Sequence, residues 1–357
     1  MLGVRAEALS AFRCRLDGQP AEASIDVDGL AVAGRTLAYL DMDEIRVDGW
    51  NVQLEMAGQP PVTLTQLGRG RDDFLAELRA ARSPVRRAAL LQWTGDVPID
   101  AFVAGHGPES RTVTLFPDGL VVEPFVGPPM SVPLGLVDRV DRDGYTITLT
   151  LRGLPPLVLH QLGKRTEEFL TDLDRARSDL AERTAAAYAT YDPALAGLRA
   201  PDGWAVTIED AGPNWEPLRS AVAGQSRATE VDVLDGIAGD RLRLGIKAVT
   251  GGSEPLPFAL APAGDRVAVE GTDTDARATY VFAAGAGEAD VDRLNVVLLL
   301  VSFRREALYL PDDELGRWAV AARTLDVVRW ARAALVARIV HDEKWEVNLQ
   351  AALRSGG

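Results

Sequence analysis

The chain has 357 residues, of which 47% are hydrophobic and 25% charged, the composition of a globular protein with two or three domains. Its net charge of −14 argues against the basic surface that nucleic acids or anionic lipids attract. The single cysteine, Cys14, excludes an intramolecular disulfide framework and the common cysteine-based zinc sites.

The sequence predicts a cytoplasmic protein. Its longest apolar run, residues 296–301, is far shorter than the roughly 20 residues that span a bilayer. The N-terminal segment has no apolar core of the kind found in signal peptides. Abundant alanine and arginine, with few lysines, are typical of a GC-rich bacterial genome.

The first half of the chain states one segment twice. Residues 48–82 and 143–177 align without a gap at an offset of 95 positions. A repeat of this length indicates a duplicated domain, because solenoid units are shorter. The residues that recur are Gly58, Pro60, Pro61, Leu64, Gln66, Leu67, Gly68, Phe74, Leu75 and Leu78, matched by Gly153, Pro155, Pro156, Leu159, Gln161, Leu162, Gly163, Phe169, Leu170 and Leu173.

Each copy reads as short strands followed by a helix. Asp28-Gly29 and Asp118-Gly119 stand between alternating β-type residues, which is a strong hairpin signal. Apolar residues at helical spacing near 74–78 and 169–173, preceded by paired acids, predict a closing helix in each copy.

About six or seven antiparallel strands closed off by one C-terminal helix, repeated in tandem, resemble the pleckstrin-homology-like (PH/GRAM-type) domains of bacteria. The resemblance covers about residues 1–82 and 96–180. It implies an α+β fold with two tandem PH-like β-barrels. It also implies a non-catalytic binding module for phosphoinositides, peptides or proteins.

The first hairpin departs from the lipid-binding form of this family. Lipid-binding members usually carry several lysines and arginines there. Copy one offers Arg13 and Arg15, and copy two offers His106 and Arg111. We therefore expect a protein or peptide ligand rather than a membrane.

The predicted layout has five segments. They are PH-like domain 1 at 1–88, PH-like domain 2 at 89–182, a linker at 183–203, an α+β domain at 204–310 and a C-terminal helical arm at 311–357.

The fourth segment leaves two interpretations open, a third, diverged PH-like copy or an unrelated α+β domain. Its predicted strands are 204–208, 241–249, 266–270 and 278–283, and its predicted helices are 215–222 and 290–304. A long helix is then predicted over 312–340, because apolar residues recur there at helical spacing after an aspartate cap.

No catalytic or metal-ligating constellation emerges. His106, His160 and His341 are far apart in sequence, and none has a second ligand at metal-site spacing. We predict His160 on a strand surface and His341 at the C-terminal end of the long helix, where an imidazole favours the helix dipole.

Other candidate motifs are incomplete. Residues 284–287 resemble a phosphate loop but lack the Gly-Lys-Ser/Thr that completes it. Asp41, Asp43 and Glu44 lack the glycine and distal glutamate of an EF-hand, so a solvated strand end is predicted. No serine lies in a GxSxG elbow. We predict no catalytic residue, metal or cofactor.

The long predicted helix carries several tryptophans and arginines. Trp318, Trp330 and Trp345 are typical core residues, although Trp330 falls opposite the apolar face and is an alternative interface anchor. The arginines spread around the helical wheel, a pattern of protein contact rather than nucleic-acid binding; they are Arg317, Arg323, Arg329, Arg332 and Arg338.

These observations predict a non-enzymatic adaptor or scaffold that binds a protein or peptide through its tandem PH-like domains. Two alternatives stay open. One is a peripheral membrane module, and the other is an enzyme or small-molecule binder with its site in 204–357. The sequence names no partner-binding residue and leaves open whether the protein forms an oligomer.

Overall fold

The computed structural model describes residues 10–90, 97–105, 110–124, 129–225, 228–248, 255–271, 278–285 and 287–354. Helices and antiparallel sheets are mixed throughout, as the α+β prediction requires. Within these ranges no sheet closes into a barrel. No helix among them is long and apolar enough to cross a bilayer.

The first repeat is one seven-stranded antiparallel sheet followed by a helix. Its strands are β1 (Ser10–Leu16), β2 (Gln19–Ile25), β3 (Gly29–Val32), β4 (Arg35–Ala38), β5 (Met42–Asp48), β6 (Asn51–Met56) and β7 (Val62–Thr65). They lie in the order β4-β3-β2-β1-β7-β6-β5. Helix α1 (Arg71–Ala89) buries Phe74, Leu75 and Leu78 against this sheet, as their spacing predicts.

The second repeat has the same succession of elements. Its strands are β8 (Asp100–Ala104), β9 (Arg111–Leu115), β10 (Gly119–Pro124), β11 (Met130–Pro133), β12 (Val137–Asp143), β13 (Thr146–Leu151) and β14 (Leu157–His160), and its helix is α2 (Thr166–Ala189). The strands form two sheets, β11-β10-β9-β8 and β12-β13-β14. The Gly105 amide donates to the His160 carbonyl across them at 2.7 Å.

Matched residues make the same contacts and adopt the same backbone conformations in both copies. Phe12 meets Phe74 edge to face at 5.2 Å between ring centroids, and Phe102 meets Phe169 in the same way at 5.1 Å. The recurring Gln-Leu-Gly places both a glutamine and a glycine at positive φ in each copy, and φ is 56° at both glutamines. The glycine adopts a positive φ at no steric cost. Thus the local sequence repeats because the backbone conformation repeats.

An arginine that recurs in both repeats holds the first residues of an irregular strand. Arg82 donates to the Met42 and Asp43 carbonyls, and Arg177 donates to the Val137 carbonyl at 3.0 Å. Both strands change register at this point, which leaves carbonyls without ladder partners. The two guanidinium groups therefore serve the same structural purpose.

The third unit has a five-stranded antiparallel sheet. Its strands, in spatial and chain order, are β15 (Arg243–Lys247), β16 (Leu256–Ala263), β17 (Arg266–Gly271), β18 (Ala278–Phe282) and β19 (Leu335–Val340). Its helices are α3 (Ile208–Ala211), α4 (Trp215–Gln225), α5 (Ala228–Ala238), α6 (Glu288–Leu300), α7 (Glu306–Tyr309), α8 (Ala319–Thr324), α9 (Asp326–Ala334) and α10 (Trp345–Arg354). Because four helices separate β18 from β19, this arrangement favours an unrelated α+β domain over a third copy.

The predictions for the third unit hold in part. The helix predicted at 215–222 is α4, the one at 290–304 is largely α6, and the strands predicted at 241–249, 266–270 and 278–283 are β15, β17 and β18. The strand predicted at 204–208 is wrong, since only Val206 forms a bridge there, to Leu244.

The single helix predicted over 312–340, the core of the helical arm, is also wrong. Leu325 takes an extended conformation (φ −94°, ψ 108°) that ends α8 and begins α9. Residues 335–340 leave the helix and pair with β18. Val336, Ile339 and Val340 are β-branched and fit a pleated edge strand better than a helix. The long-range pairing overrides the local helical period.

Helix α2 runs through the predicted domain boundary at 182 and enters the third unit. Tyr188 is 1% exposed and belongs to the apolar core of that unit. Its hydroxyl donates to the Ile246 carbonyl at 3.1 Å. Leu195, in the short turn that follows, is buried in the same core.

Replacing Arg177 by methionine tests the structural role of the recurring arginine. Arg177→Met keeps the apolar stem but leaves strand carbonyls without a donor. We expect the free energy of unfolding to fall by about 1–3 kcal/mol. The exposed Arg175→Met on the same helix is the control, with an expected change within about 0.5 kcal/mol. Urea unfolding of the full chain measures both, and equal effects would contradict the assignment.

Candidate functional site

The two repeats and the third unit meet in a small apolar cluster. Ala89 and Leu90 at the end of α1 pack against Phe116 and Val121 of the second repeat and against Val320 of α8. All five are at most 6% exposed. This burial fixes the C-terminal end of α1 between its two neighbours.

Polar contacts complete the junction between the repeats. Glu123 on β10 accepts a hydrogen bond from Arg87 at 2.8 Å and another from the Ser83 hydroxyl. Arg87 and Ser83 lie one turn apart on α1, so the glutamate contacts one face of that helix. On the side of the third unit, Arg323 donates to the Leu40 carbonyl at 2.6 Å.

Beside this junction lies a cleft of about 330 Å³ between the repeats. We call it the inter-repeat cleft. One wall is α1 with Ile45, and the other is formed by strands β8 to β10. The residues that line it are Ile45, Arg79, Ala80, Arg82, Ser83, Arg86, Val103, Ser110, Arg111, Thr112, Glu123, Pro124 and Pro129.

The α1 wall of the cleft is arginine-rich. Arg79, Arg82, Ser83 and Arg86 are spaced i, i+3, i+4 and i+7, which places them on one helix face. Arg111 at the start of β9 faces them from the second repeat. Among the described residues of the lining Glu123 is the sole acid, and it is already bound to Arg87 and Ser83.

Arg86 is the most deeply placed of these arginines. It is 2% exposed, and its Nη1 donates to the Met42 and Asp43 carbonyls at 2.9 and 2.6 Å. Its Nε and Nη2 are buried and have no hydrogen-bond partner in the described structure. Burial lowers the pKa of Arg86 to about 10, while the nearby Asp43 carboxylate opposes that fall.

The first-hairpin cations have different positions. Arg13 and Arg15 are exposed on β1 and lie outside the lining of the cleft. Arg111 lines the cleft, and His106 lies outside the described residues. Arg111 was thus named from the sequence as a first-hairpin cation, and the structure places it in the lining of the cleft.

A second cluster of titratable groups lies inside the third unit. His341 lies between two glutamates, with Nδ1 3.2 Å from a Glu230 oxygen and Nε2 3.2 Å from a Glu270 oxygen. The three side chains are 2–5% exposed. Thr279 donates to Glu270 at 2.5 Å and accepts from the Trp345 indole at 2.8 Å. This Glu-His-Glu cluster ties α5, β17, β18 and α10 together.

The position of His341 corrects the prediction that it caps a long helix. It follows β19, and it is buried because that strand inserts at the sheet edge. The imidazole thus lies between the two carboxylates, although its Nδ1 contact with Glu230 does not have hydrogen-bond geometry. One donor atom from each residue lies within 4.8 Å of the others, so a cation could be held there. However, the two glutamates face opposite ring nitrogens, which favours a bridging imidazole.

A half-exposed acidic group on the second repeat is already neutralised. Asp100, Glu168 and Asp172 have one oxygen each within 4.8 Å of the others. Arg165 hydrogen-bonds Asp100 and Glu168, the latter at 2.7 Å. Hydrogen bonds from the Ala101 amide and then from Arg165 lower the pKa of Asp100. Asp100 and Glu168 thus bind Arg165 of the same chain, and Asp172 lies 3.2 Å from Arg175.

A polar groove of about 840 Å³ lies between the second repeat and the third unit. Its cations are Arg152, Arg241 and Arg243, and five acids share the lining. Arg243 hydrogen-bonds Asp292 at 2.5 Å, and Arg152 lies over the Trp204 ring at 5.2 Å. Arg243 and Arg152 are therefore engaged within the chain, Arg243 by a carboxylate and Arg152 by an aromatic ring.

Two more sequence candidates have structural explanations. Asp43 lies 3.5 Å from Arg323, and Glu44 lies 2.8 Å from Arg46, so these acids pair with arginines of the chain. A side chain at Gly285 would meet the Asp290 carboxylate at 2.4 Å, which places a negative charge at the turn that resembles a phosphate loop. Neither place suits the ligand that its motif suggests.

Trp318 and Trp345 are buried, as predicted for core residues. Trp330 is partly buried against the same core, and Arg293 lies over its ring at 4.2 Å. The alternative of Trp330 as an exposed anchor is therefore not favoured.

The sequence did not single out the cleft, although one signal was present. At the matched positions of the second repeat, Arg79 becomes Asp174 and Arg86 becomes Ala181, while Arg82 is kept as Arg177. A comparison restricted to helix faces would have shown that copy one carries additional arginines on one stripe. The opposite wall, some 30 residues further along the chain, has no such signal.

Comparison with known proteins adds no identity. The chain matches no protein-family model, and a search among curated proteins finds no relative.

Removing the imidazole tests the Glu-His-Glu cluster. His341→Ala leaves two buried carboxylates without the group that bridges them, and we expect the third unit to lose about 3–5 kcal/mol of unfolding free energy. His160→Ala, at an exposed position, is the matched control and should change it by less than about 0.5 kcal/mol. Urea unfolding followed by tryptophan fluorescence measures both. Similar small effects would rule out the bridging role.

Proposed function

We propose that the chain is a non-enzymatic adaptor or scaffold whose two tandem PH-like domains bind a protein or peptide partner, and that the partner occupies the inter-repeat cleft. The seven strands and single closing helix of each repeat support the PH-like assignment. In this family such domains act as binding modules, so a recognition role follows from the assignment.

The cleft is the observation that carries the proposal. Its walls come from different repeats, and the junction at Glu123 holds them in a fixed relation. A concave surface with a few converging polar groups is the usual form of a recognition site. The cleft therefore requires both repeats, because neither repeat alone contains both walls.

The alternative functions have weaker support. An enzyme with its site in 204–357 requires titratable groups that converge in an accessible pocket. The Glu-His-Glu cluster is buried, and in the polar groove Arg243 is already paired with Asp292. A peripheral membrane module requires a basic surface, whereas the chain carries a net charge of −14.

A steric block of the cleft tests the proposal. Val103 lines the cleft on β8 and is 61% exposed, so Val103→Trp fills space without disturbing a core. We expect affinity capture from native lysate with the full chain to retain a partner, and Val103→Trp to reduce its recovery at least tenfold. Quantitative mass spectrometry of the retained proteins gives the measurement.

The control is the same substitution outside the cleft. Val347 on α10 is 70% exposed, and Val347→Trp should retain the partner as the unaltered chain does. Equal recovery with both variants would remove the cleft from the proposal. Binding to anionic vesicles that is lost in Arg13→Glu would instead favour the membrane alternative.

A further inference from the structure

We infer that the inter-repeat cleft binds an anionic group, a carboxylate or phosphate carried by the partner, through Arg79, Arg86 and Arg111. This inference rests on the proposed function, since it names the chemistry of the group that enters the cleft. It is independent of the charge of the whole chain, because the cleft is a local basic region in an acidic protein.

The lining has an excess of positive charge. In the part of the lining that the structure describes, four arginines face a single acid, Glu123, whose oxygens are engaged by Arg87 and Ser83 at the junction. Hydroxyl groups of Ser110 and Thr112 lie beside these arginines on the opposite wall. Arginine guanidinium groups with neighbouring hydroxyls are the usual donors to carboxylate and phosphate oxygens.

Arg86 has donors that the chain leaves unused. Its Nη1 is satisfied by two carbonyls of β5, but Nε and Nη2 have no partner among the described residues, and the residue is 2% exposed. Buried donors without an acceptor are costly, and an anion in the cleft would remove that cost. Burial lowers the pKa of Arg86 to about 10, so the nearby carboxylates offset only part of the cost of burying its charge.

The second repeat shows that the fold does not require this arrangement. Arg82 recurs as Arg177 with the same strand contacts, so it belongs to the fold. Arg79 and Arg86 are replaced by Asp174 and Ala181, both exposed on the corresponding face of α2. Of the arginines specific to the first repeat, Arg86 keeps two donor atoms that no described residue accepts.

The nearest internal acid does not take the free donors. Asp43 contributes its backbone carbonyl to Arg86, while its carboxylate lies 3.5 Å from Arg323. The positive charge of Arg323 further lowers the pKa of Arg86. Two guanidinium groups thus share one carboxylate near the junction, which leaves the cleft short of negative charge.

Inorganic phosphate is the probe for the test. We expect it to raise the melting temperature of the full chain saturably, beyond the effect of sodium chloride at equal ionic strength. Arg111→Gln and Arg79→Gln should each weaken the apparent affinity about tenfold, because each removes a charge-assisted donor. The control Arg13→Gln removes the same charge from an exposed strand and should bind like the unaltered chain.

The outcomes separate this inference from the proposed function. A melting temperature that responds to phosphate no more than to chloride, or equally in all variants, overturns the anionic site even where Val103→Trp still blocks the partner. Phosphate binding that depends on the cleft arginines supports an anion site in the cleft. Where Val103→Trp also leaves partner capture unchanged, that site does not hold a group carried by the partner. Release of a captured partner by phosphate, but not by chloride, shows that the anionic group is carried by the partner. Saturable phosphate binding without release of the partner assigns the site to a free anion, and it overturns the inference that the partner carries the group.

Discussion

The contact of Glu123 with Arg87 and Ser83 determines how the two repeats face each other. A partly buried ion pair adds little net stability, but it penalises every orientation that separates the charges. The apolar cluster around Leu90 and Phe116 supplies the attraction, and the glutamate supplies the alignment. Once α1 is held by this face, its arginine stripe can only point toward β8 and β9.

The duplication provides an internal standard for separating structure from recognition. Features present in both copies, such as the Phe12–Phe74 contact and the arginine at the strand irregularity, serve the fold. Features present in one copy are free of that constraint. Arg79 and Arg86 belong to this second class, and both line the cleft.

The sequence predicted the features that depend on local residues. Hairpin turns, closing helices and the paired glycines follow from backbone preferences that neighbouring residues express. It failed where contacts distant in the chain decide the outcome. Residues 335–340 have helical periodicity, yet pairing with 278–282 makes them a strand and buries His341 beside Glu270. The cleft is likewise made by residues of two repeats, so no local pattern specified it.

Helix α2 links the stability of the second repeat to that of the third unit. Its first half closes the second repeat, and its last turn inserts Tyr188 into the core of the third unit. The two ends of this one continuous helix therefore belong to two different hydrophobic cores. Unfolding of either core is expected to destabilise the other. The second repeat and the third unit should therefore unfold as one cooperative block, whereas the first repeat is joined to them through side-chain contacts and the end of α1.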